Sequence, residues 1–191
     1  LTLIEAQMFG DISTCELLNL AWKGPRKQAP HVQPLVRRFN IISYWVATEV
    51  VMPRDVRTRV ELIQRFLAVA RRCLDMGNFN TTMELIAGLN HVSVTRLKRT
   101  WAELPARAHQ QLQELNSLMD NQHNYKIYRE QLAARRLPAL PYLGIYLRDL
   151  VFLEEGNPNL LPAQEGAKPT LVNFEKLTLL AQVLAQITRY Q

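Results

Sequence analysis

The sequence predicts an all-α fold, a single globular domain of many helices from which a helical hairpin protrudes. Apolar residues make up 48% of the 191 residues, which is enough to build a substantial core. Apolar positions recur at helical spacing in several long segments, whereas the alternation typical of strands is almost absent. Proline and glycine stand between these segments, where they end helices. We therefore expect roughly nine or ten helices.

The first strongly periodic segment lies between Pro53, which suits an entry turn, and Gly77, which suits a stop. The apolar positions that share one face of this predicted helix are Val56, Val60, Ile63, Leu67, Ala70 and Leu74. Thr81 and Glu84 then have the spacing of a capping box, which predicts a short helix from there to Leu89.

Two further helices are predicted in the middle of the chain. Pro105 suits the first position of one of them. Its apolar face carries Leu112, Leu115 and Met119. The other runs from Asn121 to Arg136. Its apolar face carries Tyr125, Tyr128 and Leu132.

The last helix is predicted from about Val172 to Tyr190. Its inward residues are expected to be Phe174, Leu177, Ala181, Leu184 and Ile187. The segment Asn157–Thr170 separates this helix from another apolar helix and has the composition of a hairpin tip, so we expect a hairpin over about 147–190. The large side chains expected in the core are Phe39, Trp45, Phe66, Leu89, Trp101 and Leu180.

Charge and composition exclude several classes of function. The formal charge of +6 permits contact with nucleic acid, acidic proteins or anionic lipid, but the basic residues are dispersed, which favours a solvated surface and no nucleic-acid site. The two cysteines, Cys15 and Cys73, are far apart, which fits an intracellular protein. No apolar run approaches the ~20 residues of a membrane span. Because the first residue is not Met, we expect a piece of a longer chain.

The chain lacks the motifs of ordinary catalytic and cofactor sites. Its four histidines show no metal-binding spacing, so no metal site is predicted. The glycine-rich motifs that hold a nucleotide are absent as well. We expect no cofactor and no covalent chemistry.

The segment from Pro141 to Pro158 is the most informative part of the sequence. It opens with a proline turn, continues as an apolar helix, and ends in the adjacent acids Glu154 and Glu155 before Gly156-Asn157-Pro158. A carboxylate pair at the end of an apolar helix is poorly suited to a core and well suited to presenting charge to a partner.

This segment, together with others in order, resembles the catalytic domain of the Ras guanine-nucleotide exchange factors. The other matching segments are Leu1–Glu5, Arg38–Asn40, Trp45–Glu49, Asn78–Asn80, Leu85–Asn90, Arg96–Trp101, Asn124–Arg129 and Leu171–Lys176. Each motif is short, but their order along nearly the whole chain is specific. The resemblance implies that residues 1–191 are such a domain, truncated at its N-terminus.

The resemblance implies a mechanism without covalent chemistry, in which the hairpin opens the nucleotide site of a small GTPase. It places Val151 near the metal of the GTPase and Glu155 near its phosphates. Partner contacts are implied for Arg96, Asn90, Tyr125, Tyr128, Arg148 and Asn157. For Asn90 a capping role competes with partner contact, and for both tyrosines core and interface roles remain open.

The implied partner is a Ras-family GTPase, with Ras or Rap ahead of Ral. We expect a monomer in the cytoplasm that is recruited to membranes, because Ras-type GTPases are lipid-anchored. A non-catalytic scaffold on the same fold, which binds a GTPase or an adaptor, is the alternative.

Overall fold

The computed structural model describes residues 1–25, 28–161 and 171–191, and it confirms the all-α prediction. The helices of the described residues are α1 (Thr2–Gly10), α2 (Thr14–Leu17), α3 (Val32–Val51), α4 (Val56–Asp75), α5 (Phe79–Leu89), α6 (Val92–Thr95), α7 (Lys98–Ala102), α8 (Ala106–Leu118), α9 (Lys126–Ala134), α10 (Leu143–Gly156) and α11 (Phe174–Thr188). A 3-10 segment, Leu18–Lys23, follows α2. Two short antiparallel strands, β1 (Leu160–Leu161) and β2 (Leu171–Val172), lie between α10 and α11.

The chain divides into two compact units. The first comprises Leu1–Glu5 and Val36–Tyr142, and the second comprises Ala6–Leu35 and Leu143–Gln191. In the first unit, α4 packs against α5, α7 and α8. In the second, α10 packs against α11 and against the 3-10 segment. The segment of the hairpin expected over about 147–190 thus contains two packed helices, and residues 162–170 of its expected tip lie outside the described residues.

Helix α4 lies between Pro53 and Gly77, as expected. The side chain of Asp55 accepts a hydrogen bond from the Thr58 backbone N–H (2.9 Å) and caps the first turn. The helix ends before Gly77, whose φ of +79° is a left-handed conformation that glycine adopts without strain.

The predicted cap of α5 is wrong. Asn78, not Thr81, is the N-cap, and its side chain accepts a hydrogen bond from the Thr81 backbone N–H (2.8 Å). The Thr81 hydroxyl instead donates to the buried carboxylate of Glu5. Most of the residues that follow Asn78 in α5 are buried. The helix therefore begins earlier than the predicted capping box indicates.

Of the predicted core residues, Phe66, Leu89 and Leu180 are buried, whereas Phe39 and Trp101 are half-buried. Trp45 is wrong. Its side chain is 44% exposed, and it packs edge-on against Phe66 while its indole N–H donates to Glu49 (3.0 Å). An indole that has a polar partner along its own helix is stable at the rim of a core.

The predicted inward face of α11 is also wrong at its N-terminal half. Phe174 is 74% exposed, and Leu177 and Ala181 are exposed as well. The inward positions are Asn173, Lys176, Leu180 and Ile187. Polar groups at the start of the helix, rather than the largest apolar side chains, therefore determine which face packs inward.

Candidate functional site

The two residues expected to act on a GTPase lie one turn apart on α10. Val151 is half-buried, and Glu155 is exposed near the C-terminal end of the helix. Residues at i and i+4 share a helix face and are separated by about 6 Å along the axis. The structure therefore brings an apolar group and a carboxylate together on one side of α10.

Glu155 forms an ion pair with Lys23, which belongs to the 3-10 segment. The Lys23 ammonium lies 2.8 Å from Glu155 Oε1, and the two side chains are 49% and 61% exposed. An ion pair between solvent-exposed groups contributes little to stability, on the order of 0–1 kcal/mol. The Glu155 carboxylate can therefore exchange Lys23 for another cationic or N–H partner at little cost.

Hydrogen bonds fix the segment that carries Lys23. The Gln33 side-chain amide donates to the backbone carbonyls of Trp22 (2.9 Å) and Gly24 (2.8 Å). In the same unit, Glu16 accepts from the backbone N–H groups of His31 (2.7 Å) and Val32 (3.0 Å). Burial by itself raises the pKa of Glu16, but these hydrogen bonds and one to the His31 ring outweigh it, so its pKa is lowered.

The neighbouring acid Glu154 points the other way. Its carboxylate lies 2.6 Å from the ammonium of Lys176 on α11, and both side chains are largely buried. Two adjacent acids thus have different roles: Glu154 is part of the packing between α10 and α11, and Glu155 faces solvent.

Two predicted partner-contact residues, Asn90 and Tyr125, come together at a surface cavity of the first unit. The cavity has a volume of about 720 Å³ and lies beside α5 and α8. Its lining includes Ile86, Asn90, Leu112, Met119 and Tyr125. Asn90 is the C-cap residue of α5, and its exposed side-chain amide donates to the Asn116 side chain (2.8 Å). The capping position and the exposure expected for Asn90 are both present.

Tyr128 does not share this position, which corrects the expectation of a direct partner contact. Its side chain is 0% exposed and packs edge-on against Phe79. The Tyr128 hydroxyl accepts a hydrogen bond from the Tyr142 backbone N–H (2.8 Å). Because tyrosines three residues apart lie on one side of a helix, the sequence did not separate the core residue from the surface residue.

The remaining predicted contact residues belong to different elements. Arg96 is exposed at the C-terminal cap of α6, outside the cavity that Asn90 and Tyr125 line. Arg148 is half-buried on α10, where its guanidinium lies 5.8 Å from the centre of the Phe152 ring. The Asn157 side chain donates to the Leu153 carbonyl (3.1 Å), so it stabilises the end of α10.

A buried acidic cluster also lies in the first unit. Glu84 and Glu5 are both inaccessible to solvent. Arg38 Nε lies 3.4 Å from Glu5 Oε1, and the Asn80 side chain donates to Glu84 (3.2 Å). Burial, followed by the neighbouring Glu5 carboxylate, raises the pKa of Glu84 to about 9. At neutral pH Glu84 is therefore protonated.

Within residues 1–25, 28–161 and 171–191, no group of three or more His, Cys, Asp or Glu side chains is arranged to hold a metal ion. In that same part of the chain, no helix is both long and apolar enough to span a bilayer.

Comparison with known proteins decides the family. The family model described as the RasGEF domain matches residues 1–178. The chain belongs to the RasGEF domain family. Its relatives include three proteins of Dictyostelium discoideum, the Ras guanine nucleotide exchange factors Y, M and J, each 39% identical to this RasGEF domain over 100% of its length. The chain spans only 12%, 20% and 23% of those three proteins.

The sequence did not indicate the roles of three residues in the second unit of this RasGEF domain. Lys23 pairs with Glu155, and Lys176 pairs with Glu154, at the end of α10. The available signal was Lys176, a cation within the first turn of α11. Cations are disfavoured at helix N-termini, so such a lysine indicates a partner elsewhere.

Proposed function

We propose that this RasGEF domain is a guanine-nucleotide exchange factor that binds a Ras-family GTPase and promotes GDP release by stabilising the nucleotide-free state. The observation that carries the proposal is the family match over residues 1–178. Relatives named as Ras guanine nucleotide exchange factors are similar over the whole chain, which supports it further.

The geometry of α10 supplies a chemical reason for the activity. Glu155 is exposed and forms a surface ion pair, so its carboxylate is available to compete with phosphate for the cationic and N–H donors of a GTPase. Val151, one turn earlier, offers an apolar group that removes water and a ligand position from Mg²⁺. Neither residue makes or breaks a covalent bond.

Catalysis then depends on differential affinity. The exchange factor lowers the barrier to GDP release only to the extent that it binds the nucleotide-free GTPase more tightly than the loaded one. Each ~1.4 kcal/mol of difference shifts that equilibrium tenfold. Several contacts must therefore act together, and the cavity beside Asn90 and Tyr125 gives the partner a second place to bind.

We propose Ras or Rap, ahead of Ral, as the partner. The motif of Glu154 and Glu155 before Gly156-Asn157-Pro158, followed by Val172-Asn173-Phe174, is more similar to the Ras and Rap exchangers. Because such GTPases are lipid-anchored, the domain would act from the cytoplasm at a membrane surface, as a monomer.

The experiment is release of fluorescent GDP from purified Ras, Rap and Ral in the presence of the domain at micromolar concentration. Acceleration on at least one of these GTPases is the expected result. A folded domain that accelerates none of them would refute the proposal, and binding without acceleration would favour the non-catalytic scaffold.

A further inference from the structure

The junction between α10 and α11 is held by an unusual concentration of polar contacts around one lysine. Lys176 is 3% exposed, yet its ammonium has four oxygen partners. They are Glu154 Oε2 (2.6 Å), the Glu154 carbonyl (3.2 Å), the Asn157 carbonyl (3.0 Å) and Asn159 Oδ1 (2.7 Å). All four belong to residues 154–159, which we call the α10 end.

The chemistry of a helix C-terminus explains why a cation is stable there. The last carbonyls of a helix lack intrahelical donors and carry partial negative charge. An ammonium group has three N–H donors and no acceptor. Lys176 therefore neutralises the Glu154 carboxylate and at the same time binds two backbone carbonyls at the α10 end.

Asn173 fixes the same junction from the other side. Its side-chain oxygen accepts from the Lys176 backbone N–H (3.1 Å), and its amide donates to the Pro158 carbonyl (3.0 Å). The Asn173 backbone N–H donates to the Asn159 carbonyl (3.0 Å). The first turn of α11 and the α10 end are thereby linked through backbone groups as well as through the ion pair.

Glu155 follows directly after the residue that Lys176 holds. With Glu154 directed inward, the next side chain along the helix is rotated by about 100° and emerges on the exposed side. The direction of Glu155 thus follows from how the backbone of the α10 end is held, to which Lys176 contributes through the Glu154 and Asn157 carbonyls.

We propose that Lys176 is a positioning residue for nucleotide exchange, which orients Glu155 by holding the backbone of the α10 end. This role rests on the proposed function. It differs from simple charge balance, in which Lys176 would serve only to neutralise Glu154.

The test compares the single variants Lys176→Met and Glu154→Gln with the double variant Glu154→Gln/Lys176→Met. Lys176→Met leaves a buried carboxylate without its cation, so we expect a clear fall in melting temperature. The double variant removes both charges, so we expect its melting temperature to recover in part, because the oxygen atoms that Lys176 held still lack their donor. Glu154→Gln keeps three of the oxygen partners of Lys176, and we expect nucleotide exchange close to the wild-type rate.

The exchange kinetics of the double variant decide between the two roles. If Lys176 positions the backbone, the maximal rate of GDP release falls about tenfold, as expected for a displaced functional group. The GTPase concentration that gives the half-maximal rate then changes little. Recovery of the full exchange rate together with the melting temperature would show mere charge balance and overturn the proposal.

Amide hydrogen exchange gives a readout that does not depend on activity. In the double variant, the amides of residues 154–159 should lose protection, whereas those of α4 should not. Unchanged protection would refute the role of Lys176 even if the wild-type domain accelerates GDP release. If the wild-type domain is inactive on every GTPase, the proposed function fails, and loss of protection would still establish that Lys176 holds the α10 end.

Discussion

The buried carboxyl of Glu84 makes the stability of this domain depend on pH in an unusual direction. Glu84 is inaccessible to solvent, and burial together with the Glu5 carboxylate raises its pKa from 4.5 to about 9. In the folded state Glu84 holds a proton between these two values, whereas in the unfolded state it does not. Folding therefore takes up a proton, and the free energy of unfolding must fall as pH rises through this window.

The size of this fall in the free energy of unfolding follows from the number of protons that folding takes up. One proton corresponds to about 1.4 kcal/mol per pH unit, so between pH 6 and pH 8 Glu84 should lower the free energy of unfolding by about 2.7 kcal/mol. Glu84→Gln keeps the shape and removes the titration. Its side-chain amide can also donate to the Glu5 carboxylate, as protonated Glu84 does. We expect the variant to be more stable than the wild type at pH 8, by a margin that shrinks toward pH 6.

Urea unfolding at pH 6, 7 and 8 measures this margin. Glu61→Gln is the matched control, because Glu61 is an exposed carboxylate in an i,i+4 ion pair with Arg65. Its margin over the wild type should not change with pH in this range. Parallel profiles for Glu84→Gln and the wild type would show that Glu84 is ionised in the folded state, and the account of this cluster would be refuted.

Three further substitutions have defined outcomes. Val151→Ala should slow GDP release and, because Val151 is half-buried, lower the free energy of unfolding by only about 1 kcal/mol; an unchanged rate would remove Val151 from the mechanism. Tyr128→Phe removes the hydroxyl that accepts from the Tyr142 N–H, and urea unfolding should show a loss of about 1 kcal/mol; no loss would mean that this bond adds nothing. Gly88→Ala places a Cβ 2.6 Å from the Ser43 carbonyl oxygen, and thermal unfolding should show a loss of about 1–3 kcal/mol; wild-type stability would show that α3 and α5 separate easily.

The sequence predicted α4 well because two independent signals agree there. One apolar face repeats through the whole helix, and Pro53 and Gly77 lie just beyond its ends. Where only one signal is present, the prediction failed. The largest apolar residues of α11 indicated the wrong face, since Asn173 and Lys176 pack inward through hydrogen bonds that no apolar pattern records.

The sequence predicted that Val151 and Glu155 lie on one helix, but it did not predict the partners of the two adjacent acids. Glu154 and Glu155 are identical residues in adjacent positions, and only the fold shows that one binds Lys176 and the other Lys23. These partners lie 22 and 132 residues away along the chain, beyond the reach of local patterns. Tyr125 and Tyr128 were likewise inseparable until the packing of Phe79 against Tyr128 was known.

In the proposed function, an exposed carboxylate on α10 promotes nucleotide release without covalent chemistry. The most direct test of this role is the rate of fluorescent GDP release from the responsive GTPase with wild-type domain, Glu155→Ala, and the control Glu175→Ala, which removes an exposed acid from α11. We expect Glu155→Ala to slow release at least tenfold, a loss of about 1.4 kcal/mol of transition-state stabilisation, with a nearly unchanged melting temperature. Equal rates for Glu155→Ala, Glu175→Ala and the wild type would contradict this role.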